Sequence, residues 1–293
     1  MTRRPLRLRR SVLYVPASNE KAVAKSETLA CDAVIYDLED AVAPAAKEDA
    51  RERLRDHFNA HPESGHERVI RINALTSDFG PEDFLAARAC KPDAILVPKV
   101  DVPGDVANVA DMLTETDAAD TIRLWAMMET PKAVLNAARI AEWGETPGSR
   151  LDCLVVGAND LAKDLRLPGP GRDVLKPLMM QLIVAARASG LDVIDAVFNA
   201  FRDEDGLAAE CAEAAGMGFD GKTLIHPIQI EAANHAFGIS VEREAVAASV
   251  VAAFDLPENR DAGVIGLDGR MVERLHLDDA RRTLALAALQ RGD

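Results

Sequence analysis

Eight short apolar runs recur along the chain with helix-patterned segments between them, and this alternation restricts the fold more than any other feature. The runs are Ser11–Pro16 (SVLYVP), Ala33–Leu38 (AVIYDL), Arg68–Asn73 (RVIRIN), Ala94–Pro98 (AILVP), Leu124–Met128 (LWAMM), Cys153–Gly157 (CLVVG), Asp192–Val197 (DVIDAV) and Gly221–Ile225 (GKTLI). Most are nearly continuous in apolar residues, as strands buried on both faces of a parallel sheet are. The segments between them read as helices. Arg51–His57 belongs to a polar, Ala-rich one. Thr130–Trp143 carries Val134, Leu135, Ala138 and Ile140 at helical spacing, and Leu178–Ser189 carries Leu182, Ile183 and Ala186. Eight strands alternating with helices over about 230 residues approach the roughly 250 of a barrel of this kind. The expected class is therefore α/β, a (β/α)8 TIM barrel. An open doubly wound sheet is the alternative, but the position after the first strand reads PASNEK, without the glycine fingerprint such sheets often carry.

From about residue 241 the pattern changes. Val241–Phe254 is an apolar-periodic helix, Asp255–Gly269 reads as a loop with Pro257, Gly263, Gly266 and Gly269, and Arg270–Arg291 reads as a second helix. Residues 1–240 are thus expected to form the barrel domain. Residues 241–293 form a C-terminal helical appendage that packs on the barrel or on a neighbouring subunit. The chain carries 34 Lys and Arg against 48 Asp and Glu, a net charge of −14. That balance opposes binding to nucleic acid or to an anionic membrane surface. Cys31, Cys90, Cys153 and Cys211 stand singly, with no metal-ligand spacing, and are expected as buried thiols. Trp125 and Trp143 are expected in the core. No apolar stretch has the length of a signal-peptide core or a membrane span, so a cytoplasmic location is expected.

In a parallel barrel the chemistry gathers at the C-terminal ends of the strands. Those ends here carry Asp37, Glu39 and Asp40 after strand two, Arg71 and Asn73 in strand three, and Lys99 after strand four. Glu129 follows strand five, Asn159 and Asp160 follow strand six, Asp195 lies in strand seven, and His226 follows strand eight. Five carboxylates (Asp37, Glu39, Asp40, Glu129, Asp160) converging on one mouth repel one another unless a cation lies among them. Oxygen donors without a His or Cys cluster suit Mg²⁺ before Zn²⁺. Arg71 inside a strand needs a partner and offers a planar fork for a substrate carboxylate. Taken singly, Asp40 and Asp160 could instead be helix caps, Lys99 a solvated loop residue, and His226 structural.

The same segments resemble the HpcH/HpaI aldolase superfamily, in particular citrate lyase beta-subunit-like proteins and malyl-CoA lyases. SVLYVPASNEKAVAK (11–25), AVIYDLEDAVAP (33–44), VIRINAL (69–75), AILVPKV (94–100), WAMMETPKAVLNA (125–137), VVGANDLAKDL (155–165) and GFDGKTLIHPIQI (218–230) occur in the family's order across nearly the whole chain. The resemblance implies a barrel with Mg²⁺, or Mn²⁺ in its place, held by Glu129 and Asp160. It implies that Arg71 grips the 2-oxo acid carboxylate, with Asp37, Glu39, Asp40 and Asn159 in support and Asp37 counted with the catalytic groups. Tyr14 and Lys25 match positions lining the nucleotide part of CoA, and Lys99 is read with the substrate-binding residues. An Arg is common in the family where this chain has Asn19, which removes one phosphate contact. The family's C-terminal segment brings an Asp over a neighbouring subunit's site. Here the matching segment reads Gly269-Arg270-Met271-Val272-Glu273, so Glu273 stands at the catalytic Asp position with a reach longer by about one carbon–carbon bond.

The resemblance further implies a homo-oligomer, trimer or hexamer, acting on CoA thioester and 2-oxo acid substrates. The expected reaction is Mg²⁺-dependent, reversible Claisen-type cleavage of a 3-hydroxyacyl-CoA, such as malyl-CoA or β-methylmalyl-CoA, to an acyl-CoA and glyoxylate. Three alternatives are a (3S)-malyl-CoA thioesterase, a citrate lyase beta subunit acting on a carrier-protein-bound citryl group, and a non-enzymatic CoA-ester-binding module.

Overall fold

The computed structural model describes residues 6–169 and 171–292. Eight parallel strands close into a barrel, in the order of the sequence. They are β1 (Ser11–Pro16), β2 (Ala33–Asp37), β3 (Glu67–Arg71), β4 (Ala94–Val97), β5 (Arg123–Met128), β6 (Leu151–Val156), β7 (Asp192–Asp195) and β8 (Gly221–Leu224). Closure is made by β1, which pairs with β2 on one side and with β8 on the other, Ser11 opposite Lys222. The helices between strands are α1 (Glu20–Ser26), α2 (Lys47–Ala60), α3 (Gly80–Cys90), α4 (Pro103–Glu115), α5 (Pro131–Trp143), α6 (Ala158–Asp164), α7 (Arg172–Ala188) and α8 (Glu204–Met217). The barrel lies within a compact unit over Arg9–Ala236.

Strand parity explains the core. Ala33 and Ile35, Ala94 and Leu96, Trp125 and Met127, and Cys153 and Val155 occupy alternate positions and meet in one buried cluster inside the barrel. The residues between them face the helix layer, and many of these are apolar too, which is why the runs lack alternation. Below this cluster Arg9 plugs the N-terminal end. It donates four hydrogen bonds to Glu67, Asp152 and Asp192 at 2.5 to 2.8 Å, and its guanidinium lies 4.8 Å from the centre of the Trp125 ring. Trp143 ends α5 only half-buried, in contrast to the expectation for it.

The second unit takes in residues 237–292. α9 (Ile230–Phe237) leads into it, and α10 (Val241–Asp255) and α11 (Arg274–Arg291) form it with a hairpin. The hairpin corrects the reading of this region. The expected loop contains β9 (Val264–Leu267), and the first four residues of the expected second helix are β10 (Arg270–Glu273). Asp268 and Gly269 both take positive φ, 49° and 74°, which gives the two-residue turn that such strands favour. Ile265 and Val272 face a small core with Val250, Phe254 and Leu277, while Val264 and Met271 point outward. That alternation holds the segment as strand where a helical reading had continued through it. Among the described residues no helix is long and apolar enough to cross a membrane.

Candidate active site

The register of β2 and β3 brings Asp37 opposite Arg71, each the last residue of its strand. The guanidinium meets the carboxylate as a fork, Nε to Oδ1 at 2.7 Å and Nη2 to Oδ2 at 2.6 Å. Its third nitrogen, Nη1, stands 3.0 Å from Glu39 Oε2, and the ring of Tyr14 lies 4.9 Å from its central carbon. Asp37, 1% exposed, also accepts the backbone N–H groups of Glu39 and Ala41. The pair therefore does two things: it neutralises two buried charges and folds the β2 loop back over the barrel. Arg71 is held firmly charged by these partners despite its burial.

Glu129 follows β5 and is 1% exposed. The Lys99 N–H donates to its Oε1 at 2.8 Å, and the Lys99 ammonium reaches Glu39 Oε1 at 3.2 Å. Lys99 takes φ 50°, a left-handed conformation that a side chain disfavours by about 1–2 kcal/mol. Such strain, where it occurs, collects at functional sites. Burial first, then the neighbouring Glu39 and Asp160, push the Glu129 carboxyl up to about 7, against the Lys99 N–H and Arg71. The Glu39 carboxyl is also raised, chiefly by burial.

Tyr14, Asp37, Asp40, Arg71, Glu129, Asn159 and Asp160 line one cavity of about 380 Å³. Glu39 and Lys99 join them through the ion pairs above. Neither Asp40 nor Asp160 is a cap: α6 is capped at Gly157, with Asp160 in its first turn, and the 3-10 turn after Asp40 begins at Pro44 with Ala43 before it. Asn159 exchanges hydrogen bonds with Asn199 across the loop after β7. Lys25 is exposed on α1 and does not line the cavity. Asn19 has a local task, its side chain accepting the Ala22 N–H as the cap of α1. Glu273 lies in the second unit at the start of α11, where its N–H donates to His276 Nδ1. His226 accepts the Ile228 N–H at its Nδ1, and its ring stacks on Phe201.

Asp195 does not join the mouth. It is wholly buried against Lys222 and Arg172, facing the helix layer, where Lys222 also meets Glu210 of α8. The sequence reading missed Lys47, whose buried ammonium binds the carbonyl oxygens of Leu38 and Glu39 and Asn73 Oδ1. It also missed Asp83, which receives the Asn73 N–H at 2.9 Å. Both prop the β2 and β3 ends from helices, where a lone charged residue carries no signal of burial.

The mouth thus has five carboxylates, Asp37, Glu39, Asp40, Glu129 and Asp160, against Arg71 and Lys99. Glu39 Oε2 is buried without a directed hydrogen bond. A raised, buried carboxyl in a net-negative oxygen-lined cavity fits a hard divalent cation. Among the described residues no three His, Cys, Asp or Glu side chains are arranged to hold a metal by themselves. Two carboxylates with substrate and water completing the shell is the arrangement Mg²⁺ commonly takes.

The sequence profile of the HpcH/HpaI aldolase/citrate lyase family matches residues 10–227. The chain is 45% identical over 279 residues to a protein of Cereibacter sphaeroides (strain ATCC 17025) named (3S)-malyl-CoA thioesterase, covering 95% of this chain and 94% of that one. It is 32% identical over 296 residues to citrate lyase subunit beta of Escherichia coli K12, covering 99% and 96%. Among solved structures, CitE of Mycobacterium tuberculosis in complex with magnesium, acetoacetate and coenzyme A superposes with a TM-score of 0.74 at 31% identity, covering 95% of this chain and 97% of that one.

Proposed function

The chain belongs to the HpcH/HpaI aldolase/citrate lyase family, and from that premise we propose that it hydrolyses a 3-hydroxyacyl-CoA of the malyl-CoA type with Mg²⁺ at Glu129 and Asp160. The observation that carries the proposal is the 45% identity, over nearly the whole length of both chains, to a protein named for that thioesterase activity. The Asp37–Arg71–Glu129 mouth supports it, since it joins an anion-binding guanidinium to a cation-binding carboxylate in one cavity.

Bound Mg²⁺ would polarise the carboxylate and hydroxyl oxygens of the acyl group. Arg71, its Nε–Nη2 fork held by Asp37 and its Nη1 beside Glu39, lines the cavity, where its charge would draw the substrate carboxylate. Tyr14 stacks on the guanidinium and fixes its plane. The Lys99 N–H fixes Glu129 Oε1, and Glu129 with Asp160 would hold the ion. Asp40 and Asn159 line the same cavity and would support the ion's surroundings, and the exposed Lys25 would offer a cation to the CoA phosphates. Glu273, supplied by the 241–293 segment of a neighbouring subunit in a homo-oligomer, takes the proton of a water that attacks the thioester carbon. The carbon–sulfur bond breaks, and the departing CoA thiolate takes that proton back from Glu273.

A second reading, cleavage of the carbon–carbon bond to acetyl-CoA and glyoxylate, has its own support in the likeness to citrate lyase beta subunits and to CitE. Purified protein with Mg²⁺ and (S)-malyl-CoA separates the two. Free CoA and malate without glyoxylate are expected. Acetyl-CoA and glyoxylate would replace hydrolysis by the lyase reading. Absence of both products, with β-methylmalyl-CoA also inert, would favour a carrier-protein-bound substrate.

A further inference from the structure

Gly157 directly follows β6, and Glu129 directly follows β5. These strands pair with Met128 opposite Val156, so Glu129 and Gly157 are the next opposed residues. The Gly157 N–H donates to Met128 O at 3.1 Å and ties the two ends together. A Cβ placed on Gly157 would stand 2.4 Å from Glu129 Cβ, 2.8 Å from Glu129 Oε2 and 3.1 Å from Met127 Cε. The tip of Met127 can swing aside. Glu129 Cβ is fixed to the backbone after β5 and can yield only if that backbone moves.

Conformation does not account for the glycine. Its φ of −103° and ψ of 78° lie on the negative-φ side, which L side chains can adopt. Space is what excludes a side chain. On the opposite side of the carboxylate, the Lys99 N–H holds Oε1. Glu129 is thus gripped from β4 and given room from β6. Gly157 is also the residue from which α6 starts, and the first turn of α6 carries Asp160.

We infer that Gly157 is a positioning residue: its missing side chain sets where Glu129 Oε2 rests relative to Asp160, and so the spacing at which the two carboxylates share a divalent cation. This rests on the Mg²⁺ reading proposed above. Four variants of the full chain, three single and one double, test the two separately. Gly157→Ala, titrated with Mg²⁺ by calorimetry, loses roughly 10–100-fold in affinity, the scale found when groups that orient metal ligands are changed. Its melting temperature in EDTA falls in the wild-type background and falls much less in a Glu129→Gly background, which lacks the opposing Cβ. Glu129→Gln reports on the underlying reading: wild-type Mg²⁺ affinity in that variant would remove the metal from Glu129 altogether. Loss of binding there with wild-type affinity in Gly157→Ala overturns the role of Gly157 alone. An equal fall in melting temperature in both backgrounds also overturns it. If Gly157→Ala does not fold, folding restored in the Glu129→Gly/Gly157→Ala double variant bears out the contact, and failure of the double variant refutes it.

Discussion

The two ends of the barrel solve the same electrostatic problem in opposite ways. At the N-terminal end Glu67, Asp152 and Asp192 converge, and the chain supplies the cations itself: Arg9, buried and using all three of its nitrogens, with Arg123 3.6 Å from Asp152 and Arg187 acting on Asp192. At the C-terminal end more carboxylates converge than Arg71 and Lys99 can balance, and one of them, Glu129, has its proton held up to about pH 7. A buried cluster that closes its own charge balance is a structural joint. One that leaves the balance open has kept a place for something from outside. The lower face of such barrels is associated with stability and the upper with chemistry, and here the difference can be read from the charges.

The comparison can be broken most forcefully at Arg9. Arg9→Ala removes the cation that hydrogen-bonds to all three carboxylates at the base and is expected to cost roughly 3–5 kcal/mol in urea unfolding. A loss under 1 kcal/mol would make the lower cluster no joint at all. Next in size, Glu273→Gln is expected to lower kcat by about 10²–10⁴-fold, the range for removing a general base, with stability unchanged. Unaltered turnover would return Glu273 to a helix-start role.

Glu129→Gln sharpens the contrast through pH. The Glu129 pKa is raised above that of the unfolded chain, so the metal-free protein is at its best below about pH 4.5 as far as this group is concerned. It loses stability as pH rises through about 7. The glutamine variant lacks that loss and should be more stable than wild type at pH 8 without Mg²⁺, by about 3 kcal/mol at most, with little difference at pH 5. Melting curves in EDTA at the two pH values decide it; a variant less stable at pH 8 would mean that the upper cluster is as self-sufficient as the lower. The smallest effect is expected at Lys99→Gln. The Lys99–Glu39 pair is half open to solvent and contributes under about 1 kcal/mol, while losing its charge should tighten Mg²⁺ binding. Weaker binding in calorimetry would assign Lys99 to the metal's support and not to its competition.

Much of this was legible in the sequence because a strand buried on both faces leaves an uninterrupted apolar run. The end of each run then names the residue at the mouth, as it did for Asp37, Arg71 and Glu129. Asp195 was misplaced through parity: Ile194 faces the barrel interior, so its neighbour must face the helices, where Lys222 receives it. The hairpin over 264–273 was hidden because the helical spacing of α11 extends backward into it, although an Asp-Gly pair between alternating residues is a turn signal. Lys47 and Asp83 were not legible, since nothing local marks one charged residue on a helix as the one turned inward. Gly157 was quoted within a motif, but the reason for it is a distance to another strand.

The plug at the base also sets a clock. Arg9 is made before its partner Asp192, which lies 183 residues further along. At roughly 5–20 residues per second of synthesis, the guanidinium waits on the order of ten to forty seconds for that carboxylate to exist. The first strand waits longer still for β8, the only neighbour that can close its free edge. For that interval the edge of β1 that β8 will cover has no partner strand to pair with. The speed at which the ribosome delivers the last quarter of the barrel therefore governs how long other chains have to find that edge.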